Sequence, residues 1–266
     1  MITIYDNAHT LPAQWRTRLH ALSTTTISDA LASQDILYGG TLPGGLKEIH
    51  EHRFFAKPCL PESPLTASTK ETLPVVGLIT TVYAPQGTSL PLHLAMYTHA
   101  THRFIIVATD GWINSSYIGD IQATTAKRNG CLGLCIDGYI RDSRGLNDLS
   151  LPIYARGARP NAPTKQEVGG INVPISIGGL TIHNGDIAVA DEDGLVVIPY
   201  RLAEKTIHLA EQKEEADRKR LSAVMDFDFS AANEAGDYLP IMNAAVREYV
   251  KKELQVRCIR EKISPM

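Results

Sequence analysis

Between Phe104 and Ile136 the chain alternates between two hydrophobic rhythms. Phe104-Ile-Ile-Val-Ala-Thr109 is an unbroken apolar and β-branched run that stops at Asp110-Gly111, as a buried strand does. Gly119 to Asn129 changes to helix-forming composition and is followed by Gly130, a residue that readily takes the left-handed position just past a helix. Cys131 to Ile136 is apolar again. Upstream, Pro74 to Tyr83 predicts another strand and Ser89 to Thr98 a helix, separated by the turn Pro85-Gln-Gly87. The middle of the chain therefore reads strand, helix, strand, helix, strand, the pattern of an α/β sheet.

The flanks read differently. Residues 11–22 place apolar and charged positions at helical spacing, and Thr26 to Ala32 predicts a short helix behind a Ser/Thr cap. The cluster Gly39-Gly-Thr-Leu-Pro-Gly-Gly45 breaks the chain, and Phe54 to Leu73 is rich in Pro, Ser and Thr. A loop that long is unusual in a compact domain and reads as an insertion. Beyond Leu151-Pro-Ile-Tyr154 come short strands with glycine turns at 170–179, 180–183, 186–191 and 195–199, which predict mainly antiparallel pairing. A charged helix over Arg201 to Ser222 follows, and one more near Ile241 to Leu254. The expected organisation is one domain over 1–222 with an insertion near 54–73, and an extension over 223–266.

Charge and cysteine usage narrow the function classes. With 266 residues and a net charge of −3, acidic and basic residues are interspersed, which gives no support to a nucleic-acid surface. A small-molecule ligand is the better default. Cys59, Cys131, Cys135 and Cys258 form neither a Cys-x-x-Cys pair nor a dense disulfide framework. Cys131 and Cys135 fall on one face of a predicted strand and read as buried thiols rather than half of a zinc site. The N-terminus lacks a basic and then apolar leader, and no run reaches membrane-spanning length, so a soluble cytoplasmic protein is expected.

The chemistry concentrates in Cys131-Leu-Gly-Leu-Cys-Ile-Asp-Gly-Tyr-Ile-Arg-Asp142. An apolar strand ends there at an Asp-Gly turn and leads into an arginine beside an aspartate. Arg141 can grip a carboxylate with two parallel hydrogen bonds, and Asp142 can hold a hard cation. If the alternating segments form a parallel layer, the start of the helix at Gly119 lies near the end of that strand, where open α/β sheets bind ligands. The first amides of that helix, around Ile121 and Gln122, carry partial positive charge and suit a carboxylate. Asp120, in the first turn, fits equally a dipole-favoured cap and a group orienting water on a metal. Surface pairing for Arg141 and helix capping for Asp142 are the plain alternatives. His93, His99 and His102 cluster locally, but their spacing does not put all three on one helix face, so surface or substrate-loop roles precede metal binding.

Several segments in order carry a resemblance: Gly119 to Gly130, Gly133 to Asp142, Leu151 to Gly157, Ile171 to Gly179, and Gly185 to Pro199. Over about Thr24 to Arg220 the chain resembles the RraA-like superfamily, which includes the class II 4-hydroxy-4-methyl-2-oxoglutarate aldolases. The resemblance implies a β/β/α swivelling-domain fold of the phosphohistidine-domain type with mixed sheets, here with a C-terminal helical extension. It implies a homotrimer or homohexamer with sites between subunits, and a divalent cation, Mg2+ or else Mn2+ or another, held by Asp142 and otherwise largely by water. It assigns Arg141 to the pyruvate moiety, Asp120 to a supporting acid, and Gly119 with the amides of Ile121 and Gln122 to substrate binding. A further glutamate comes from a neighbouring subunit's C-terminal helix; Glu214, Glu215 and Asp217 compete for it, and Glu215 is the choice made here.

The expected activity is then a metal-dependent lyase that cleaves a 2-oxo acid through a pyruvate enolate, as an aldolase, an oxaloacetate decarboxylase or both. A regulator that binds a protein partner, as the ribonuclease-inhibiting members do, is the alternative, and a lyase on another oxo-acid or sugar-acid is a third. No lysine sits on a convincing buried strand, which argues against a Schiff-base aldolase. Neither Gly-x-Gly-x-x-Gly nor a P-loop is present, which argues against a nucleotide-dependent enzyme.

Overall fold

The structure is a computed structural model that describes residues 1–6, 9–42, 47–48, 73–229 and 241–252. The segment predicted as an insertion lies outside the described residues except for Leu73, as does most of the Gly/Pro cluster after Leu42. In chain order the elements are β1 (Ile2–Ile4), α1 (Ala13–Leu19), α2 (Thr24–Ala32), β2 (Lys47–Glu48), β3 (Val75–Tyr83), α3 (Leu90–Thr98), β4 (Arg103–Ala108) and α4 (Asp120–Arg128). They continue with β5 (Gly133–Ile140), α5 (Ser143–Asn147), β6 (Ile153–Ala158), β7 (Gly169–Ile171), β8 (Ile175–Ile177), β9 (Leu180–Ile182), β10 (Ile187–Asp191), β11 (Gly194–Ile198) and α6 (Ala203–Met225). The predicted helices are all present to within a few residues at their ends. Two compact units result, Met1–Glu211 and Gln212–Met266; in the second, beyond the end of α6, residues 244–252 are helical.

The first unit is a mixed α/β structure. Strands β3, β4, β5 and β6 run parallel in that order, the layer expected from the alternating middle of the chain. Strand β3 is the longest of the sheet, and two strands share its other edge. Strand β10 pairs with its first half, Val75 to Leu78, and β7 with its end at Val82 and Tyr83, both antiparallel. Of the glycine-punctuated strands of the later chain, β7, β10 and β11 thus extend the main sheet, while β8 and β9 form a separate two-stranded hairpin.

Both faces of the central strands are covered, which is why they read as continuous apolar runs rather than alternating ones. Ile105 and Val107 face helices α3 to α5, with Leu92, Ala123 and Ala126. Phe104 and Ile106 face the β8–β9 hairpin through Ile177 and Ile182. A third cluster packs α1, α2 and the start of α6 on β10 and β11, through Leu19, Ile27 and Ile207. There Arg18 grips Glu211 with two bonds of 2.7 and 2.8 Å and reaches Glu204 at 2.8 Å, which docks the first turns of α6 on α1.

Two expectations are corrected. Cys131 and Cys135 are both buried and free, but they do not share a face. Strand β5 begins only at Gly133 and Cys131 belongs to the turn after α4, its N–H donating to the Ala126 carbonyl at 3.0 Å. It packs on the helix side while Cys135 packs on the hairpin side. Nor does the strand stop at Asp137-Gly138. It continues to Ile140, and the Asp-Gly pair is a bulge: β5 advances from Ile136 to Tyr139 while β6 advances only from Ala155 to Gly157. A bulge satisfies the same local signals as a turn, small and flexible residues after an apolar run, without reversing the chain.

Candidate active site

Past the bulge, β5 exchanges one neighbour for another. Its pairing with β4 ends at Ile136, and the segment leading into α4 takes over. Tyr117 N–H donates to the Tyr139 carbonyl at 2.8 Å, and Arg141 N–H donates to the Ile118 carbonyl at 2.9 Å. These two bonds bring the start of α4 against the Arg141-Asp142 pair, although the two segments are about twenty residues apart in sequence.

Contact there is close. A Cβ on Gly119 would lie 2.0 Å from Asp142 Oδ2 and 3.2 Å from Arg141 Cγ. Gly119 has extended backbone angles, so glycine is required by space and not by conformation. On the other side of the same helix end, a Cβ on Gly145 in α5 would lie 2.5 Å from Asp120 Oδ2. Asp142 itself is left-handed, with φ of 58° and ψ of 41°, a conformation that aspartate tolerates better than most residues. It stands at the N-cap position of α5, yet its side chain makes no capping bond; it lies 3.4 Å from Arg141 Nε instead, with both side chains partly exposed. The capping alternative for Asp142 is therefore not what the carboxylate does.

Asp120 accepts the Ile121 N–H at 2.7 Å, so one of the two expected ligand-binding amides is engaged by the helix's own first carboxylate. Gln122 Oε1 accepts the Gly119 N–H at 3.1 Å. Glu215 lies in the second unit, where it pairs with Arg218 and with Lys219 along its own helix; Asp217 pairs with Lys213 at 2.7 Å.

A pocket of about 140 Å³ opens beside the end of α4, lined by Gly119, Gln122, Arg141, Tyr117, His93 and Lys165 among others. That is the room of roughly five waters, enough for a small acid. Sequence reasoning passed over Lys165 and gave His93 a surface or substrate-loop role ahead of metal binding; the structure puts His93 on α3, lining the pocket. Lys165 Nζ donates to Ser89 Oγ at 3.0 Å and to His93 Nδ1 at 2.7 Å. Burial, with Lys165 next to it, lowers His93 to about 4, so the ring is neutral near pH 7. Burial and then the charge of Arg141 lower the Lys165 ammonium, which places two cationic side chains on one small pocket. Burial raises the Tyr117 phenol to about 12. Lys165 sits in the Pro-containing segment after β6, where a lone lysine has no sequence signal to separate it from a solvated one.

Two hollows elsewhere are larger, about 560 Å³ beside Tyr200 and about 230 Å³ beside Thr24. Neither joins a helix N-terminus to paired cations, so chemistry and not volume selects the smaller one. Among the described residues no group of three or more His, Cys, Asp or Glu is arranged to hold a metal, and His93, His99 and His102 form no such group. The residues present still fit a hard cation of the magnesium type, which commonly takes one or two carboxylates and keeps several waters. Asp142, whose side chain caps no helix and lies against Gly119, is a carboxylate of that kind.

Fold and site together define an α/β protein with a small pocket, lined by Arg141 and Lys165, at the join of a parallel sheet and a helix N-terminus. The chain belongs to the RraA-like family, described as Aldolase/RraA, whose model matches residues 24–197. It is 38% identical over 152 residues to a protein of Halalkalibacterium halodurans named "Putative 4-hydroxy-4-methyl-2-oxoglutarate aldolase", a match covering 57% of this chain and 72% of that one. An uncharacterized protein from Pseudomonas syringae pv. tomato has a similar structure, with a TM-score of 0.66 at 24% identity over 85% of this chain and all (100%) of that one. Streptomyces coelicolor RraAS2, described as an unusual member of the RNase ES inhibitor RraA protein family, matches with a TM-score of 0.61 at 24% identity, covering 79% and 98%. At that identity the two structures share the fold. No helix among the described residues is long and apolar enough to cross a membrane.

Proposed function

We propose that this protein is a divalent-metal-dependent C–C lyase that cleaves a 2-oxo acid and releases pyruvate, acting on 4-hydroxy-4-methyl-2-oxoglutarate, oxaloacetate or both. The observation that carries the reading is a small pocket lined by Arg141, Lys165 and the α4 N-terminus, with the Asp142 carboxylate against Gly119 beside it. Family membership and the named relative support the aldolase class. The β/β/α swivelling-domain arrangement, a homotrimer or homohexamer, and entry of Glu215 from a neighbouring copy belong to the same proposal.

Asp142 would hold the cation, which when bound supplies Lewis-acid polarisation of the substrate's oxygens. Arg141 binds the carboxylate of the pyruvyl half and stabilises the negative charge that develops as the C–C bond breaks. The α4 N-terminus adds fixed partial positive charge to the same end. Lys165 offers a second cation for the far carboxylate of a dicarboxylic oxo acid. Neutral His93 holds a hydrogen-bonding group beside Lys165 without adding charge. Aldol cleavage further requires that the proton on the C4 hydroxyl pass to a base, for which Asp120 and a neighbouring copy's Glu215 are the proposed groups. Decarboxylation reaches the same enolate without that base, so it should tolerate changes at Asp120 better.

The test is pyruvate release from each substrate, coupled to lactate dehydrogenase, with magnesium and with excess chelator. Release above the solution background that chelator removes is the expected result. Release unaffected by chelator, with trapping of pyruvate on Lys165 by borohydride, would replace the metal mechanism by a Schiff base. No release from either substrate would favour a lyase on another oxo-acid or sugar-acid, or the regulator that binds a protein partner.

Two substitutions probe the pocket. Lys165→Met is expected to raise KM for a dicarboxylic oxo acid by about tenfold, the loss of one charge-assisted bond of roughly 1.5 kcal/mol, with a smaller change in kcat; initial rates against substrate concentration read this. In Gly119→Ala the added methyl must displace the Asp142 carboxylate, and a shift near 1 Å at a reacting centre costs about 100-fold in turnover. Thermal unfolding within a few degrees of the parent would show that the loss is local.

A further inference from the structure

The bulge that aims Arg141 and Asp142 is itself pinned on two sides by groups outside the pocket. Asp137, at the bulge, is buried with 6% of its surface exposed. Its Oδ1 accepts from Arg156 Nε at 2.6 Å and from Arg156 Nη2, and Arg156 lies on β6 opposite the residues where the register slips. On the other side, the fully buried Thr109 at the end of β4 donates its hydroxyl to the Asp137 carbonyl. The next residue, Gly138, packs tightly: a Cβ there would lie 3.0 Å from the Tyr117 ring. Tyr117 precedes Ile118 and Gly119, the segment that receives the rerouted strand. Neither Asp137 nor Arg156 lines the pocket.

A strand that gains a residue can relax by sliding back into even pairing, and such slippage would carry Arg141 and Asp142 along the sheet. The Asp137–Arg156 pair opposes it by tying the extra residue to one place on β6. Burial, and to a smaller degree Asp110, raise the Asp137 carboxyl above its usual range, and Arg156 opposes that shift.

We infer that Asp137 and Arg156 are positioning residues for the active site, a latch that holds the β5 bulge so that Arg141 and Asp142 meet the N-terminus of α4. The latch rests on the reading of Arg141 and Asp142 as the reacting pair given above. Without it the bulge samples other registers, and the bonds Tyr117 N–H to Tyr139 and Arg141 N–H to Ile118 open more often.

The experiment compares the parent with Arg156→Met and Arg156→Lys by hydrogen–deuterium exchange and by pyruvate release. Exchange in Arg156→Met is expected to quicken at least tenfold in peptides covering 117–122 and 137–142 and to stay unchanged in those from β10 and β11. Its kcat/KM should fall at least tenfold, with part restored in Arg156→Lys, which keeps the charge but not the two-nitrogen grip. Where Arg156→Met fails to fold, the neutral double variant Asp137→Asn/Arg156→Gln replaces it, since it leaves no unpaired buried charge. Unchanged exchange at 117–122 and 137–142, or equal quickening throughout the chain, would overturn the latch. A parent without activity on either oxo acid overturns the proposed function, and the exchange pattern then decides the latch by itself.

Discussion

Arg141→Ala is expected to lower kcat/KM for pyruvate release by about 100- to 1,000-fold, the usual cost of removing one donor that faces developing negative charge. The residue earns that expectation from its place: its backbone is fixed by the bond to Ile118, and its side chain lines the pocket beside Gly119 and Gln122. Arg141→Lys should recover little, because an ammonium cannot make two parallel bonds to a carboxylate. Stability should barely move, since the arginine is partly exposed and its ion pair to Asp142, at 3.4 Å, is of the weak surface kind. Steady-state kinetics and thermal unfolding on the same preparation check both halves, and near-parental turnover would end the carboxylate-clamp role.

Asp142→Asn is expected to remove the response of activity to magnesium. Loss of a group outside the coordination shell already weakens metal binding by about 10- to 100-fold, so loss of a direct carboxylate ligand should cost more than that. Asparagine is the informative replacement because it also accepts the left-handed backbone of this position; alanine would add strain and confuse folding with binding. Titration calorimetry with magnesium alone reads the effect without any substrate. Binding at parental strength would show that the cation is held elsewhere, and the proposed chemistry would have to be rebuilt around another carboxylate.

The residues proposed for the chemistry were the most legible. Arg141 and Asp142 stand out because an apolar run that ends in paired charges is costly to explain by packing, and Gly119 and Asp120 because a helix start follows a strand of the same layer. The structure brings these four together. Asp137 was read as the end of a strand, since Asp-Gly is a turn signal and nothing local separates a reversal from a bulge; the distinction lies in the pairing with β6 and with residues 116–118. Lys165 was missed for a related reason. Its meaning comes from contacts with Ser89 and His93, more than seventy residues away, and its own neighbourhood in sequence is an ordinary loop.

Sequence by itself determined the alternation of strands and helices, the burial of the central strands on both faces, and the family, because periodicity, capping and motif order are local properties that act within a few residues. Tertiary structure alone decided that β10 and β7 would share one edge of β3, that β5 would bulge and change neighbours, and that Lys165 and His93 would stand beside Arg141. Those outcomes depend on contacts between segments far apart in the chain, whose energies no local pattern encodes.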